Sequence, residues 1–128
     1  MTLVVDTSIL IDHLRGDQRA RRLLESAITS RGERITASVM TKVEVLAGVR
    51  PGEESATAHL LSLCEWIPVD DALAEQAGAL ARRHLRSHPG IDPVDCVIAA
   101  TVESLGATLL TRNRKHFPML PGLRDPYQ

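Results

Sequence analysis

Met1-Thr2-Leu3-Val4-Val5-Asp6-Thr7-Ser8-Ile9-Leu10-Ile11-Asp12 runs from an apolar strand pattern through an acid into a helix pattern without a pause. Leu3, Val4 and Val5 read as a short strand covered on both faces. The run stops at Asp6, and Thr7 or Ser8 can cap a helix whose apolar side starts at Ile9 and Leu10. A strand feeding straight into a helix is the first half of a parallel βαβ unit. Its carboxyl end is where open α/β sheets bind ligands. Asp6 therefore stands at the mouth of a candidate site, although an Asp there also serves as a plain turn residue.

Outward from that stretch, short strands keep alternating with helices. The first helix runs from about Ser8 to Leu14, stopped by Arg15-Gly16-Asp17. Ala20, Leu23, Leu24, Ala27 and Ile28 mark the apolar side of a second, opposed by Arg21, Arg22, Glu25 and Ser26 and broken by Arg31-Gly32-Glu33. Glu33 to Ala37 is a weak strand, and Ser38 caps a third helix with the stripe Val39, Val43, Leu46 and Ala47. Arg50-Pro51-Gly52 ends it.

Glu53 and Glu54 suit the start of a fourth helix, through Ala56 and Leu60 to Leu63. Trp66-Ile67-Pro68-Val69 is a strand whose proline points to an edge or an end. Asp70 or Asp71 caps a helix to about Ser87, with Leu73, Ala77, Leu80 and Ala81 facing in. After the loop His88-Pro89-Gly90, Asp92-Pro93 starts a helix with Val94, Val97, Ile98, Thr101, Val102 and Leu105 on its stripe, terminated by Gly106. Thr108 to Thr111 is the last strand. This order predicts a three-layer α/β/α sandwich around a small, mainly parallel sheet, formed by a single domain over residues 1–128.

Apolar residues make up 44% of the chain, but Trp66, Phe117 and Tyr127 are its only aromatics, so the core is aliphatic. A formal charge of −1 carries no global signature of nucleic-acid binding. Basic residues cluster at Arg19, Arg21 and Arg22, at Arg82, Arg83 and Arg86, and at Arg112, Arg114 and Lys115. Solvated helix faces explain the first two groups, whereas the third falls in a loop. No apolar stretch approaches the roughly 18–20 residues of a membrane span, and no signal-peptide pattern opens the chain. Cys64 and Cys96 lack metal-site spacing and read as reduced, buried thiols of a cytoplasmic protein.

Three segments carry acids in comparable places: Asp6 after the first strand, Glu44 in the third helix, and Asp92 with Asp95 at a helix start. Each alone has a structural explanation, as a turn residue, a rim partner for Arg, or a cap and dipole complement. Together, carboxylates crowded in a partly buried cleft repel, and a divalent cation relieves them. Oxygen-only ligation with bound water suits Mg²⁺ or Mn²⁺. Such an ion acidifies water and steadies charge on a phosphodiester. No Cys/His cluster offers zinc and no Gly-rich phosphate loop is present. His116 is the one histidine in a candidate site loop.

Val4-Val5-Asp6-Thr7-Ser8, Glu44-Val45-Leu46-Ala47-Gly48, Asp95-Cys96-Val97-Ile98-Ala99-Ala100-Thr101 and Leu110-Thr111-Arg112-Asn113 followed by Phe117 together resemble the PIN-domain family. More narrowly they resemble the VapC toxins of VapBC toxin–antitoxin pairs. The resemblance spans nearly the whole chain, in order. It implies a Mg²⁺- or Mn²⁺-dependent endoribonuclease, a homodimer held inactive by a cognate VapB-type antitoxin. On this resemblance Asp6, Glu44 and Asp95 are the catalytic, metal-holding acids. Asn113 takes the fourth position, where many relatives have Asp, and supplies no charge. Asp92 is an auxiliary carboxylate, Thr7 and Thr111 match hydroxyl residues that brace the acids, and Arg112 meets RNA phosphate or neutralises the pocket. An aspartyl-phosphate enzyme built on Asp6 would want an Asp where Ser8 stands. A non-catalytic PIN-like module would have no use for the three retained acids.

Overall fold

The computed structural model describes residues 2–31 and 35–127. Four strands form one parallel sheet: β1 (Leu3–Val5), β2 (Ile35–Ser38), β3 (Cys64–Ile67) and β4 (Thr108–Leu110), in the order β3-β2-β1-β4. Helices α1 (Thr7–Leu14) and α2 (Gln18–Arg31) link β1 to β2, and α3 (Val39–Ala47) with α4 (Glu54–Ser62) links β2 to β3. Helices α5 (Asp71–His84) and α6 (Pro93–Leu105) carry the chain back across the sheet to β4. The three-layer parallel sandwich expected from the alternation is what forms.

Side-chain alternation along β1 explains the layers. Val4 packs with Leu73, Leu80, Ile98, Val102, Leu109 and Phe117, under α5 and α6. Its neighbour Val5 points the other way, into Ile9, Leu10, Leu24, Ile35, Val45 and Leu60, under α1 to α4. With both faces covered, the central strand has no polar side, hence its unbroken apolar run. β3 lies at the sheet edge, where Pro68 just beyond it costs no ladder bond.

Several details differ from the expectations. The cap of α1 is Asp6 rather than Thr7 or Ser8, because Asp6 already has extended backbone and its carboxylate accepts the Thr7 N–H. α3 ends at Ala47, before the Arg50-Pro51-Gly52 turn, and α5 ends at His84, short of Ser87. The Gly32-Glu33 part of the predicted break, and Glu33 as the start of β2, lie outside the described residues. The stripe proposed for α3 faces water: Val43 and Leu46 are 56% and 51% exposed, and Ala47 is exposed too. The buried face is Thr41 and Val45. On α6, Cys96, Ala99 and Ala100 join Ile98, Thr101 and Val102 in the core, while Leu105 is exposed.

Ser38 caps α3 by accepting the Met40 N–H, and Asp70 caps α5 by accepting the Leu73 N–H. Cys64 and Cys96 are free and buried, and burial pushes the Cys64 thiol up to about 11. No helix among the described residues is long and apolar enough to cross a membrane.

Candidate active site

The chain moves outward from β1 to β2 and β3, then jumps back to lay β4 on the other side of β1. This reversal makes a switch point between β1 and β4, the place where ligands bind in open α/β sheets. Asp6 follows β1 and Thr111 follows β4, and the register Val5↔Leu110 sets them side by side. Thr111 Oγ1 donates to Asp6 Oδ2 at 2.7 Å, while Ser8 Oγ donates to the same oxygen at 3.2 Å. With the Thr7 N–H on Oδ1 at 2.8 Å, Asp6 is 5% exposed and held by three donors. About four lone-pair sites belong to a carboxylate, so one remains for a ligand.

Glu44 reaches the same place from α3. Its Oε1 accepts the Thr7 hydroxyl at 2.6 Å, which ties Glu44 to the start of α1. From α6, Asp92 and Asp95 form a reciprocal cap. The Asp95 N–H donates to Asp92 Oδ1 at 2.9 Å and the Asp92 N–H to Asp95 Oδ2 at 3.1 Å. Burial pushes the Asp95 carboxyl up to about 6; the Asp92 N–H bond opposes this, and the Asp92 charge adds to it. His116 stands with its Nδ1 3.3 Å from Asp95 Oδ2, an ion pair whenever the ring is protonated.

Asp6, Thr7, Glu44, Asp92, Asp95, Arg112 and Asn113 all line one cleft of about 410 Å³. Thr111 lies behind Asp6, 1% exposed, and accepts the Asn113 N–H. The cleft also contains Ser8, Ile11, Asp12 and His116. Ser8 and Asp12 were not singled out from the sequence, although both belong to the site. Ser8 bridges Asp6 to the Arg112 N–H, and Asp12 takes the Arg112 guanidinium at 2.9 Å. Their spacing of four residues on a helix capped by Asp6 was the available signal, since it puts both on one face.

Every acid lining the cleft is a carboxylate, so the donor set suits a hard divalent cation. Among the described residues, however, no three His, Cys, Asp or Glu side chains stand close enough to share one ion directly. Simultaneous direct ligation by Asp6, Glu44 and Asp95 is thus not built into these side-chain positions. The fit is to an ion that keeps several waters and takes one or two carboxylates directly, as Mg²⁺ does.

Comparison with known proteins gives the chain its family. The PIN-domain family profile matches residues 3–121. Ribonuclease VapC19 of Mycobacterium tuberculosis is 47% identical over 124 residues, covering 97% of this chain and 98% of that protein. Ribonuclease VapC10 of the same species is 36% identical over 125 residues, with 98% and 92% covered. Among solved structures, a toxin–antitoxin complex from Klebsiella pneumoniae superposes with a TM-score of 0.81 at 30% identity, covering 99% of each chain. From the order of its acids to the switch point they share, this chain belongs to the PIN-domain family, in its VapC branch.

Proposed function

We propose that this chain is the toxin of a type II toxin–antitoxin pair, an endoribonuclease that hydrolyses RNA phosphodiester bonds with water. The observation that carries the reading is the meeting of Asp6, Glu44 and Asp95, from three separate elements, in one cleft at the switch point. In that cleft Asp6, Asp95 and Glu44 are the residues that would hold a Mg²⁺ or Mn²⁺ ion, directly or through water. When bound, the ion lowers the pKa of water and offsets charge on the phosphodiester.

The remaining work falls to the chain itself. Thr111, Ser8 and the Thr7 amide keep the Asp6 carboxylate from rotating, and the Thr7 hydroxyl does the same for Glu44. Asp92 holds Asp95 through the reciprocal cap. Asn113 adds polar atoms but no charge, which favours one ion over two. Arg112 supplies positive charge beside the acids, suited to an RNA phosphate. Three aromatics make no base-stacking platform, so shape and phosphate contacts on folded RNA fit better than stacking along a single strand.

The chain acts as one domain, in the cytoplasm. The Klebsiella and Rickettsia felis neighbours are toxin–antitoxin complexes, the second described as VapBC2 bound to promoter DNA. A VapB-type antitoxin is the corresponding partner here. A homodimer is the working form, supported by the exposed Val43 and Leu46 one helical turn apart on α3.

Asp6→Asn and Asp95→Asn should each abolish cleavage of folded RNA in Mg²⁺ or Mn²⁺ while leaving the helical circular dichroism unchanged. Cleavage at the wild-type rate by either variant would remove the assignment.

A further inference from the structure

Asp12, on the wall of the cleft, holds Arg112, and Tyr127 in turn holds Asp12. Arg112 Nη1 donates to both Asp12 oxygens, each at 2.9 Å. Asp12 Oδ2 also accepts the Tyr127 hydroxyl at 3.0 Å. The Arg19 guanidinium covers the Tyr127 ring, 4.7 Å from its centroid, and is itself paired with Asp17 at 2.8 Å. The Arg112 main chain is tied as well, its N–H donating to Ser8 Oγ at 3.2 Å.

We propose that Tyr127 and Asp12 are positioning residues that hold the Arg112 guanidinium at the cleft mouth in the orientation that receives an RNA phosphate. This rests on the reading of the cleft as an RNA-cleaving site. Asp12 engages a single nitrogen of the fork, which leaves Nη2 and Nε, the pair whose geometry matches two phosphate oxygens. The Asp12 side chain is 15% exposed and that of Arg112 is 49% exposed, so the anchor is shielded while the guanidinium meets solvent. An ordinary surface ion pair loses much of its value to side-chain freedom. Here the phenol removes that freedom from Asp12, and the Arg19 stack removes it from the phenol. Beyond Thr111 on Asp6 and His116 beside Asp95, the segment after β4 thereby reaches the site a third time, through Arg112 and Tyr127 on Asp12.

The test uses wild type, Tyr127→Phe, Asp12→Asn, Arg112→Ala and the Tyr127→Phe/Arg112→Ala double variant. Without RNA or metal, the Arg112 Nε–H resonance in ¹⁵N NMR should exchange with water several-fold faster in Tyr127→Phe and in Asp12→Asn than in wild type. In EDTA, Tyr127→Phe should weaken binding of unfractionated tRNA by roughly three- to tenfold, the loss expected for one disturbed charge-assisted contact. Arg112→Ala should weaken it further and lower the salt slope by about one counterion. The double variant should bind no worse than Arg112→Ala. Unchanged Nε–H exchange in both single variants overturns the proposal, and so do additive losses in the double variant, because a merely structural phenol would act whether or not Arg112 is present. If those couplings hold but wild type fails to cut RNA in Mn²⁺, the proposed activity falls while the positioning role stands.

Discussion

At the scale of single residues, the cleft trades stability for chemistry, and Asp95 shows the trade best. Its carboxyl is raised to about 6 by burial first and by neighbouring charge as well, against an ordinary value of 3.8. A carboxyl raised in this way binds its proton more tightly folded than unfolded. The metal-free fold therefore bears no penalty below about pH 3.8, and the full penalty once the pH passes about 6. In EDTA, Asp95→Asn should melt above wild type at pH 7.5, and the gap should close towards pH 4. With the Asp95 side chain 12% exposed, solvent trims the gain to about 1–2 kcal/mol, or roughly 3–6 °C. Added Mn²⁺ should then raise the wild type more, because only it keeps the whole site. A lower melting point for Asp95→Asn in EDTA at pH 7.5 would mean that its capping and dipole role outweighs the repulsion.

At the scale of elements, the same substitution should act with opposite sign in neighbouring helices. Gly106 closes α6 in the left-handed region at φ 59°, and the next residue, Ala107, donates to Val102 O at 3.0 Å in the manner of a Schellman stop. A Cβ there meets nothing within 4 Å, so Gly106→Ala costs only backbone strain, about 1 kcal/mol. Gly78 lies inside α5, exposed and equally open to a Cβ, so Gly78→Ala should stabilise by about 0.5–1 kcal/mol. Urea melts of the two variants should move the midpoint in opposite directions at unchanged slope. Midpoints that move the same way would overturn the helical account of one of the two glycines.

At the scale of the whole molecule, α3 has a core face and a bare apolar face. Val45 and Thr41 pack inward, Glu44 turns to the cleft, and Val43 and Leu46 stay in water. If that bare face joins two copies, Leu46→Glu should convert a dimer into a monomer in sedimentation. The site's acids lie on other residues, so folding and RNA cleavage per chain should survive apart from effects of assembly. A wild type that sediments as a monomer at high concentration, without its antitoxin, would remove the homodimer.

Local pattern was enough for the layered fold and for the acids Asp6, Glu44, Asp92 and Asp95 that line one cleft, but not for Ser8 and Asp12 beside them. Helices punctuated by Ser38, Asp70, Asp92-Pro93 and Gly106 were legible because caps and stops act within one turn of chain. The acids were legible because each lies at a strand end or on a helix beside a recognisable motif. Which face of α3 is buried was not legible: an apolar stripe has the same period whether it meets the core or a partner, and only packing against α1 and α6 distinguishes them. The Asp12–Arg112–Tyr127 connection was equally hidden, since its members are separated by 100 and 115 positions and no local rule relates them. The spacing of the acids was also a tertiary decision. Sequence order brought Asp6, Glu44 and Asp95 to one cleft, but the hydrogen bonds from Thr7, Ser8, Thr111 and Asp92 set where each carboxylate stops, short of a shared direct contact with one ion.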